Sequence, residues 1–373
     1  MKITGVRTMI LREKVDKPEM DSLHVYDVGG HLVVMVDTDE GITGYGLVFF
    51  GRIESGMETV KLVVEKVLAP VIKGQDPYFV RKMRNEMFVA TEYFGTVGAA
   101  NFAISAVDCA LWDIMGKKAG LPVAKILGAR REAIPAYAMV GWYYEGGIGE
   151  FMEHCKSAVE EGFRALKIKV GKGPLKDDLE RIRLIHGEFG DDFRVMVDAN
   201  CVFDEVEAGF RGKAYDDENV YWFEEPMQPY MRDAHTRLTK RIKTPIAIGE
   251  NYYTRHQFYD VIKAGCAGII QPDGRRAGGP TEWLDIGAIS EAAGLKLASH
   301  GGGPMEVNIL CALENAIYFE SGSLKEEDPL NKVRLVLKNG EVAIPDVPGI
   351  GIDLNEDYIA RNRIDIDNRI DID

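Results

Sequence analysis

Three acidic side chains recur at a constant interval. Asp198 lies near the end of VMVDAN, Glu224 near the end of YWFEEP and Glu250 near the end of IAIGEN, 26 residues apart in each case. That interval is the length of one strand–helix unit, so the three carboxylates stand at the C-terminal ends of consecutive strands, where a barrel opens. A single acid at such a place is ordinarily a capped or solvated surface group. Three in phase repel one another unless a cation lies among them. A ligand set made only of oxygen selects Mg2+ or Mn2+ over zinc.

Lys167 and Lys169 in ALKIKV are two apart on the strand before that of Asp198, so they share a face while Leu166, Ile168 and Val170 take the other. Ammonium groups inside a barrel need anions as partners. A neighbouring cation is expected to lower a lysine's pKa toward that of a general base. Asp273 ends GIIQPD and His300 ends KLASH, 27 residues later. Adjacent strand ends put the acid beside the imidazole, where it fixes the tautomer and raises the basicity. His300 runs into Gly301–Gly302–Gly303, which lets backbone and ligand approach closely. Glu320 ends NAIYFE only 20 residues after His300. There Glu314 competes with it, and a solvated carboxylate is an equal alternative.

The elements that must carry these groups are legible as periodicities. Val6–Leu11, Leu32–Val36 and Gly41–Val48 alternate as a small antiparallel meander. From Met57 to Gly128 the period becomes helical; over Ala103–Gly120, Ile104, Val107, Ala110, Leu111, Ile114 and Met115 line one face, read as core packing. This makes an α+β domain ending near Gly128. Eight strands follow, at Ile134–Val140, Ala165–Val170, Arg194–Ala199, Val220–Glu224, Pro245–Glu250, Gly268–Pro272, Lys296–His300 and Ala316–Glu320. Helix-length segments such as Gly147–Glu161 and Lys176–Phe189 separate them, the form of a parallel barrel. A doubly wound sheet is less favoured, because no G-x-G-x-x-G follows the first strand. The chain ends in NRIDID twice over, at 362–367 and 368–373. It reads as a polar surface tail or an added edge strand.

Composition excludes several classes of function. A net charge of −14 over 373 residues suits neither a phosphate backbone nor an anionic membrane, so no nucleic-acid or membrane partner is expected. No apolar run is long enough to span a bilayer, and MKITGVRTMILREK lacks the apolar centre of a signal peptide. The five cysteines are odd in number and far apart, without a C-x-x-C pair, which suits a reducing compartment. A cytoplasmic enzyme is expected.

Seven stretches together carry a resemblance: AISAVDCALWDIMGKKAGLPVAKILG at 103–128, KIK at 167–169, VDAN at 197–200, FEEP at 223–226, GEN at 249–251, PDGRRAGG at 272–279 and SHGGG at 299–303. The chain resembles the mandelate racemase subgroup of the enolase superfamily over essentially its whole length. A Lys or His base working with Mg2+ to stabilise an enediolate is the general chemistry of that superfamily. The resemblance implies an α/β fold, a (β/α)7β TIM-like barrel at 129–345 with an α+β capping domain at 1–128 and a segment 346–373 returning to the cap. It implies Mg2+ on Asp198, Glu224 and Glu250, and Lys167 facing the substrate carboxylate. Lys169 would be one acid/base, His300 with Asp273 the opposite one, and Glu320 a hydrogen-bond partner of the enediolate. Cap loops near Val15–Gly30 and Phe49–Gly56 would close over a small-molecule carboxylate substrate, and a symmetric homo-oligomer is implied. In GYGLVF, Leu47 stands where many relatives place a glutamate, so contacts of the cap with substrate differ here.

Within that resemblance the Asp–His pair argues for dehydration of an acid sugar, an aldonate or aldarate, to a 2-keto-3-deoxy acid. The alternative is a racemase, epimerase or cycloisomerase. Asn200, His24 and Tyr26 are the candidate substrate-binding residues, with Trp142, Tyr143 and Arg275 as further polar lining. Met20, Leu23, Val25, Phe49 and Phe50 would suit an aromatic acid instead.

Overall fold

The computed structural model describes residues 1–50, 54–325 and 328–364, apart from the side chains of Lys14, Asp16 and Glu54. Its N-terminal sheet is the expected meander, formed by β1 (Ile3–Met20), β2 (Val25–Thr38) and β3 (Thr43–Phe49) in antiparallel order. Alternation places Leu32, Val34 and Val36 in the cap core. The strands run beyond the alternating stretches, because β1 and β2 continue as a two-stranded ribbon. Its ladder pairs Glu13 with Gly29 and, after a bulge, Met20 with Val25. Backbone pairing holds that ribbon where one-sided apolar patterning has ceased, so hydropathy under-reads it.

The helix Ala99–Ala119 is capped by Gly120 in the left-handed conformation. Its buried side chains are not confined to one face: Asn101, Ser105, Asp108 and Asp113 are buried as fully as Ile104 and Leu111. The helix is sandwiched between the cap sheet and the barrel, which corrects the one-faced reading. Gly44 and Gly46 of β3 let it lie against the sheet, since a Cβ on Gly46 would stand 1.9 Å from the Ala106 carbonyl oxygen.

All eight expected barrel strands are present: β4 (Ala133–Gly141), β5 (Ala165–Lys169), β6 (Arg194–Asp198), β7 (Trp222–Glu224), β8 (Ile246–Ile248), β9 (Ile269–Ile270), β10 (Lys296–Ala298) and β11 (Ala316–Ser321). They pair in sequence order, all parallel, and β11 closes on β4. One helix separates each strand from the next, so the fold is a (β/α)7β barrel with an α+β cap. Beyond it β12 (Leu337–Lys338) and β13 (Glu341–Ala343) add antiparallel strands to β4. The helix Glu356–Asn362 then leads into β14 (Arg363–Ile364), which pairs with Ile10 and Leu11 on the edge of the cap sheet. The start of the first NRIDID copy is therefore an edge strand; residues 365–373 lie outside the described residues, as do 51–53 of the expected Phe49–Gly56 loop.

Candidate active site

Inside the barrel, side chains stack in layers of period two. The lowest layer is Tyr137, Ala165, Met196, Trp222, Ala247, Ile269, Ala298 and Tyr318, in which three aromatic rings are accommodated by three alanines. Two residues further along the same strands come Lys167, Asp198, Glu224, Gln271, His300 and Glu320. Another two bring Lys169, Asn200 and Asp273. Leu166, Ile168 and Val170 point outward into the core beneath the helices, as expected.

Register makes neighbours of the charged groups. Lys169 is paired with Asp198, Asp198 with Glu224, and Glu320 with Tyr137. Lys167 Nζ donates to Glu224 Oε1 at 2.7 Å and to Glu320 Oε2 at 2.8 Å, and lies 3.9 Å from Asp198 Oδ2. Lys169 Nζ donates to Asp198 Oδ2 at 2.6 Å. Burial works against both ammonium groups, yet the surrounding carboxylates prevail. Lys167 is raised well above the ordinary lysine value by Glu224 and Glu320, and Lys169 is raised by Asp198. With Asp198 turned toward it, Lys169 is raised, because an anion at 2.6 Å outweighs desolvation and the second lysine; the lowering expected from a metal cation applies once Asp198 turns away to hold one.

Asp273 and His300 form a parallel backbone bridge, and His300 Nδ1 lies 2.9 Å from Asp273 Oδ2. The other ring nitrogen, Nε2, is 2.6 Å from Glu250 Oε2. Burial disfavours the imidazolium, but Glu250 and Asp273 raise His300 to about 10. Asp273 is held well below the usual range; burial opposes this, and Arg275 and His300 overcome it. Arg275 binds the same carboxylate through Nε at 3.1 Å. Gly302 permits the close packing here, as a Cβ would stand 1.9 Å from the Glu320 carbonyl oxygen.

A cavity of about 790 Å3 opens above this layer. Lys169, Asn200, Glu250, Asp273, His300 and Glu320 line it, with His24, Tyr26 and Arg275. Lys167, Asp198 and Glu224 lie below its floor, almost completely buried. Leu23, Phe49, Phe50 and Trp142 supply apolar lining, whereas Met20, Val25 and Tyr143 are absent from it. The Tyr143 hydroxyl instead accepts from Lys172 N–H. Asn200 has φ of 47°, and its buried Oδ1 has no hydrogen-bond partner among the described residues.

Three carboxylates on adjacent strand ends fit a hard divalent cation. Burial, opposed by Lys167 and reinforced by Asp198, raises the Glu224 pKa, the mark of crowded acids. Among the described residues, no three His, Cys, Asp or Glu side chains already converge as a metal cage. Asp198 and Glu224 turn toward the lysines and Glu250 toward His300, so holding a cation requires rotation of these side chains.

Several partners escape the sequence patterns. Gln271 Nε2 and Trp222 Nε1 both donate to Glu224 Oε2, at 2.9 and 3.0 Å, and the Tyr137 hydroxyl donates to Glu320 Oε2 at 2.6 Å. These three read as ordinary strand residues; only period two from Asp273 could have singled out Gln271. The cap helix reaches the site as well. Ser105 Oγ donates to the Gly274 carbonyl at 2.5 Å, and Asn101 Nδ2 donates to the carbonyls of Tyr253 and Arg276. The helix thus ties down the loop that carries Asp273.

Comparison with known proteins agrees with this geometry. Residues 5–128 match the family model "Mandelate racemase / muconate lactonizing enzyme, N-terminal domain", and residues 150–358 match "Enolase C-terminal domain-like". The chain is 31% identical to an arabinonate dehydratase of Saccharolobus solfataricus, covering 95% of this chain and 97% of that protein. It is 30% identical to a D-galactarolactone cycloisomerase of Agrobacterium fabrum, covering 98% and 99%. Among solved structures, a racemase from Streptomyces coelicolor A3(2) with bound magnesium superposes with a TM-score of 0.91 at 30% identity, covering 97% of this chain and 100% of that one.

Proposed function

The chain belongs to the enolase superfamily, in its mandelate racemase/muconate lactonizing enzyme family, and from that premise we propose that it dehydrates an acid sugar, an aldonate or aldarate, to a 2-keto-3-deoxy acid with Mg2+. One observation carries the reading. Lys169 and the Asp273-backed His300 enter one polar-lined cavity from well-separated strands, giving two proton-transfer groups to one substrate. Lys169 or His300, according to the configuration of the α-carbon, takes the α-proton, and the C–H electron pair passes into an enediolate. The pair then forms the Cα–Cβ double bond as the β C–O bond breaks. His300 gives a proton to the departing hydroxide, so water leaves and the enol tautomerises to the keto acid. Glu320 hydrogen-bonds the developing enediolate from the cavity wall, and Lys167, buried beneath it at 2.8 Å, adds positive charge on the side of the substrate carboxylate. Asp198, Glu224 and Glu250 would hold the Mg2+, which supplies positive charge beside the substrate carboxylate when bound. Asn200, His24 and Tyr26 bind the substrate; the orphan Oδ1 of Asn200 supports this, as a substrate hydroxyl would satisfy it.

A second reading, racemisation, epimerisation or cycloisomerisation, is favoured by the cycloisomerase and racemase relatives and by apolar lining at Leu23, Phe49 and Phe50. Both begin with α-proton removal. The test is a panel of aldonates and aldarates with Mg2+, read for keto-acid product and for α-proton exchange in D2O. Keto acid from a panel member supports dehydration; exchange or inversion without keto acid replaces it with the second reading. Five free, buried thiols support a reducing cytoplasm, and exposed Tyr93, Phe94 and Val97 on the cap support a homo-oligomer, which a monomeric mass by light scattering would exclude.

A further inference from the structure

The strand that carries both lysines parts from β4 just before Lys169. The β4–β5 ladder shifts between Met139 and Gly141 and ends at Ile168. On its other side β5 stays paired one residue further, Lys169 with Asp198. The carbonyls left at this split are met by one side chain, Arg181 of the helix Leu175–Phe189. Arg181 Nη1 donates to the Lys169 carbonyl at 2.5 Å, and Nη2 donates to the carbonyls of Gly141 at 2.7 Å and Trp142 at 3.0 Å. The two strands press together here, since a Cβ on Gly141 would stand 2.3 Å from Ile168 Cα.

Arg181 is 7% exposed, and its guanidinium lies 4.2 Å from the Phe151 ring centroid and 4.8 Å from that of Tyr143. A buried arginine ordinarily meets a carboxylate, because an uncompensated charge is costly to desolvate. Here the hydrogen bonds go to main-chain carbonyls. Asp178, one turn earlier on the same helix, is taken by Arg211 Nη1 at 2.5 Å and the Tyr215 hydroxyl at 3.0 Å. Burial accordingly pulls Arg181 below the ordinary arginine value, against Tyr143 and Asp178. A methionine of similar length could fill the space between Phe151 and Tyr143 without burying a charge, so packing alone does not account for an arginine. A rigid fork of N–H donors, by contrast, can hold two strand ends at once.

Two of the three carbonyls belong to residues that face the cavity. Lys169 and Trp142 both line it, and Lys169 Nζ lies 4.9 Å from the Trp142 ring centroid. Arg181 stays out of that lining and ties the main chain of the ammonium group to that of the ring beside it. His300, beyond β10, has separate anchors in Asp273 and Glu250.

We propose that Arg181 is a positioning residue for Lys169: by tying its main chain to that of Trp142 it fixes the ammonium group for proton transfer, and it leaves His300 untouched. The inference rests on the reading of Lys169 and His300 as two proton-transfer groups for one acid-sugar substrate. A displacement of such a group by about 1 Å costs on the order of a hundredfold in rate.

The test uses the full chain with Mg2+ and the acid-sugar panel in both α-configurations, read for α-proton exchange in D2O, with Tm measured for each variant. Lys169→Ala sorts the panel into members that lose exchange and members that keep it through His300. In Arg181→Met, kcat for exchange of the first kind falls about ten- to a hundred-fold. Members of the second kind stay within about two-fold of wild type. Arg181→Lys, which keeps a charge but not the fork, shows the same one-sided loss to a smaller degree; it carries the test if Arg181→Met does not fold. Undiminished exchange of the first kind overturns the inference, and so does an equal loss on both kinds with a lowered Tm. If the panel holds the first kind alone, the α-deuterium isotope effect on kcat decides. It rises where the C–H step has slowed; a wild-type value at a lower rate marks lost folded protein and overturns the inference. If Lys169→Ala keeps exchange throughout, the inference fails while dehydration through His300 stands. A wild-type chain that exchanges no α-proton with any member defeats the acid-sugar reading and the inference with it.

Discussion

His300 has an acid on each ring nitrogen, Asp273 at 2.9 Å and Glu250 at 2.6 Å, and the first sets which nitrogen carries the proton toward the cavity. On the proposed dehydration, replacing His300 with Asn removes the group assigned to protonate the leaving hydroxide. Dehydration should fall about 10²- to 10⁴-fold, while α-proton exchange in D2O persists if Lys169 is the base. Asp273→Asn should follow in direction, because the amide can hold the wrong imidazole tautomer. Lys169→Ala should abolish exchange along with dehydration. Exchange that survives in Lys169→Ala and vanishes in His300→Asn would reverse the two roles, and wild-type dehydration by His300→Asn would remove the pair from the mechanism. These residues were legible because acids, lysines and a histidine are rare on strands otherwise apolar. Gln271, Trp222 and Tyr137 were not, since amides and aromatic rings occur in any barrel wall.

At the scale of elements, the helix Ala99–Ala119 joins cap to barrel through polar contacts as well as apolar ones. Asp108 on it accepts from Thr281 N–H at 2.8 Å and Thr281 Oγ1 at 2.7 Å. Burial raises its pKa to about 7, against the Thr281 hydrogen bonds that pull it down. The folded state then holds this proton more tightly than the unfolded chain does. The stability contributed is complete below the ordinary carboxylate pKa and is lost as pH rises through about 7. Thermal melts between about pH 5 and pH 8 should show wild type losing stability relative to Asp108→Asn, by on the order of 1–3 kcal/mol; parallel curves would show Asp108 ionised throughout. On the opposite side of the same helix, Gly46→Ala should lower the urea midpoint by about 1–3 kcal/mol of stability, since the new methyl meets the Ala106 carbonyl. An unaltered midpoint would mean that helix and sheet separate freely.

For the whole molecule, cap and barrel are one packed body. Leu11, Val33, Met35 and Cys109 of the cap belong to the same buried cluster as the barrel's Ile134, Phe163 and Ile182, and the cap ribbon supplies His24 and Tyr26 to the cavity. A fragment beginning at Ile134 should therefore be inactive even where it folds, and dehydration by such a fragment would contradict this account. Mg2+ bound to the folded state alone should raise Tm, by about 2.7 kcal/mol of stability at a hundred times Kd. EDTA followed by dialysis should abolish turnover while far-UV circular dichroism is retained. Full activity in excess EDTA would remove the metal assignment.

Strand number, parallel order and the identities of the charged groups were readable along the chain, because a barrel strand repeats with period two and a strand–helix unit with near-constant length. Asp198, Glu224, Glu250, Asp273 and His300 all announced themselves by that phase. What the groups do to one another depended on folding. Lys169 is raised rather than lowered because Asp198 comes to 2.6 Å of it, a distance set by strand register and rotamer rather than by chain order. The hydrogen bond from Ser22 Oγ to the Ala199 carbonyl, the joining role of the Ala99–Ala119 helix and the pairing of Arg363–Ile364 with β1 join residues far apart in sequence. Local periodicity carries no record of such partners, because it registers which face of an element is apolar and not which surface comes to cover it.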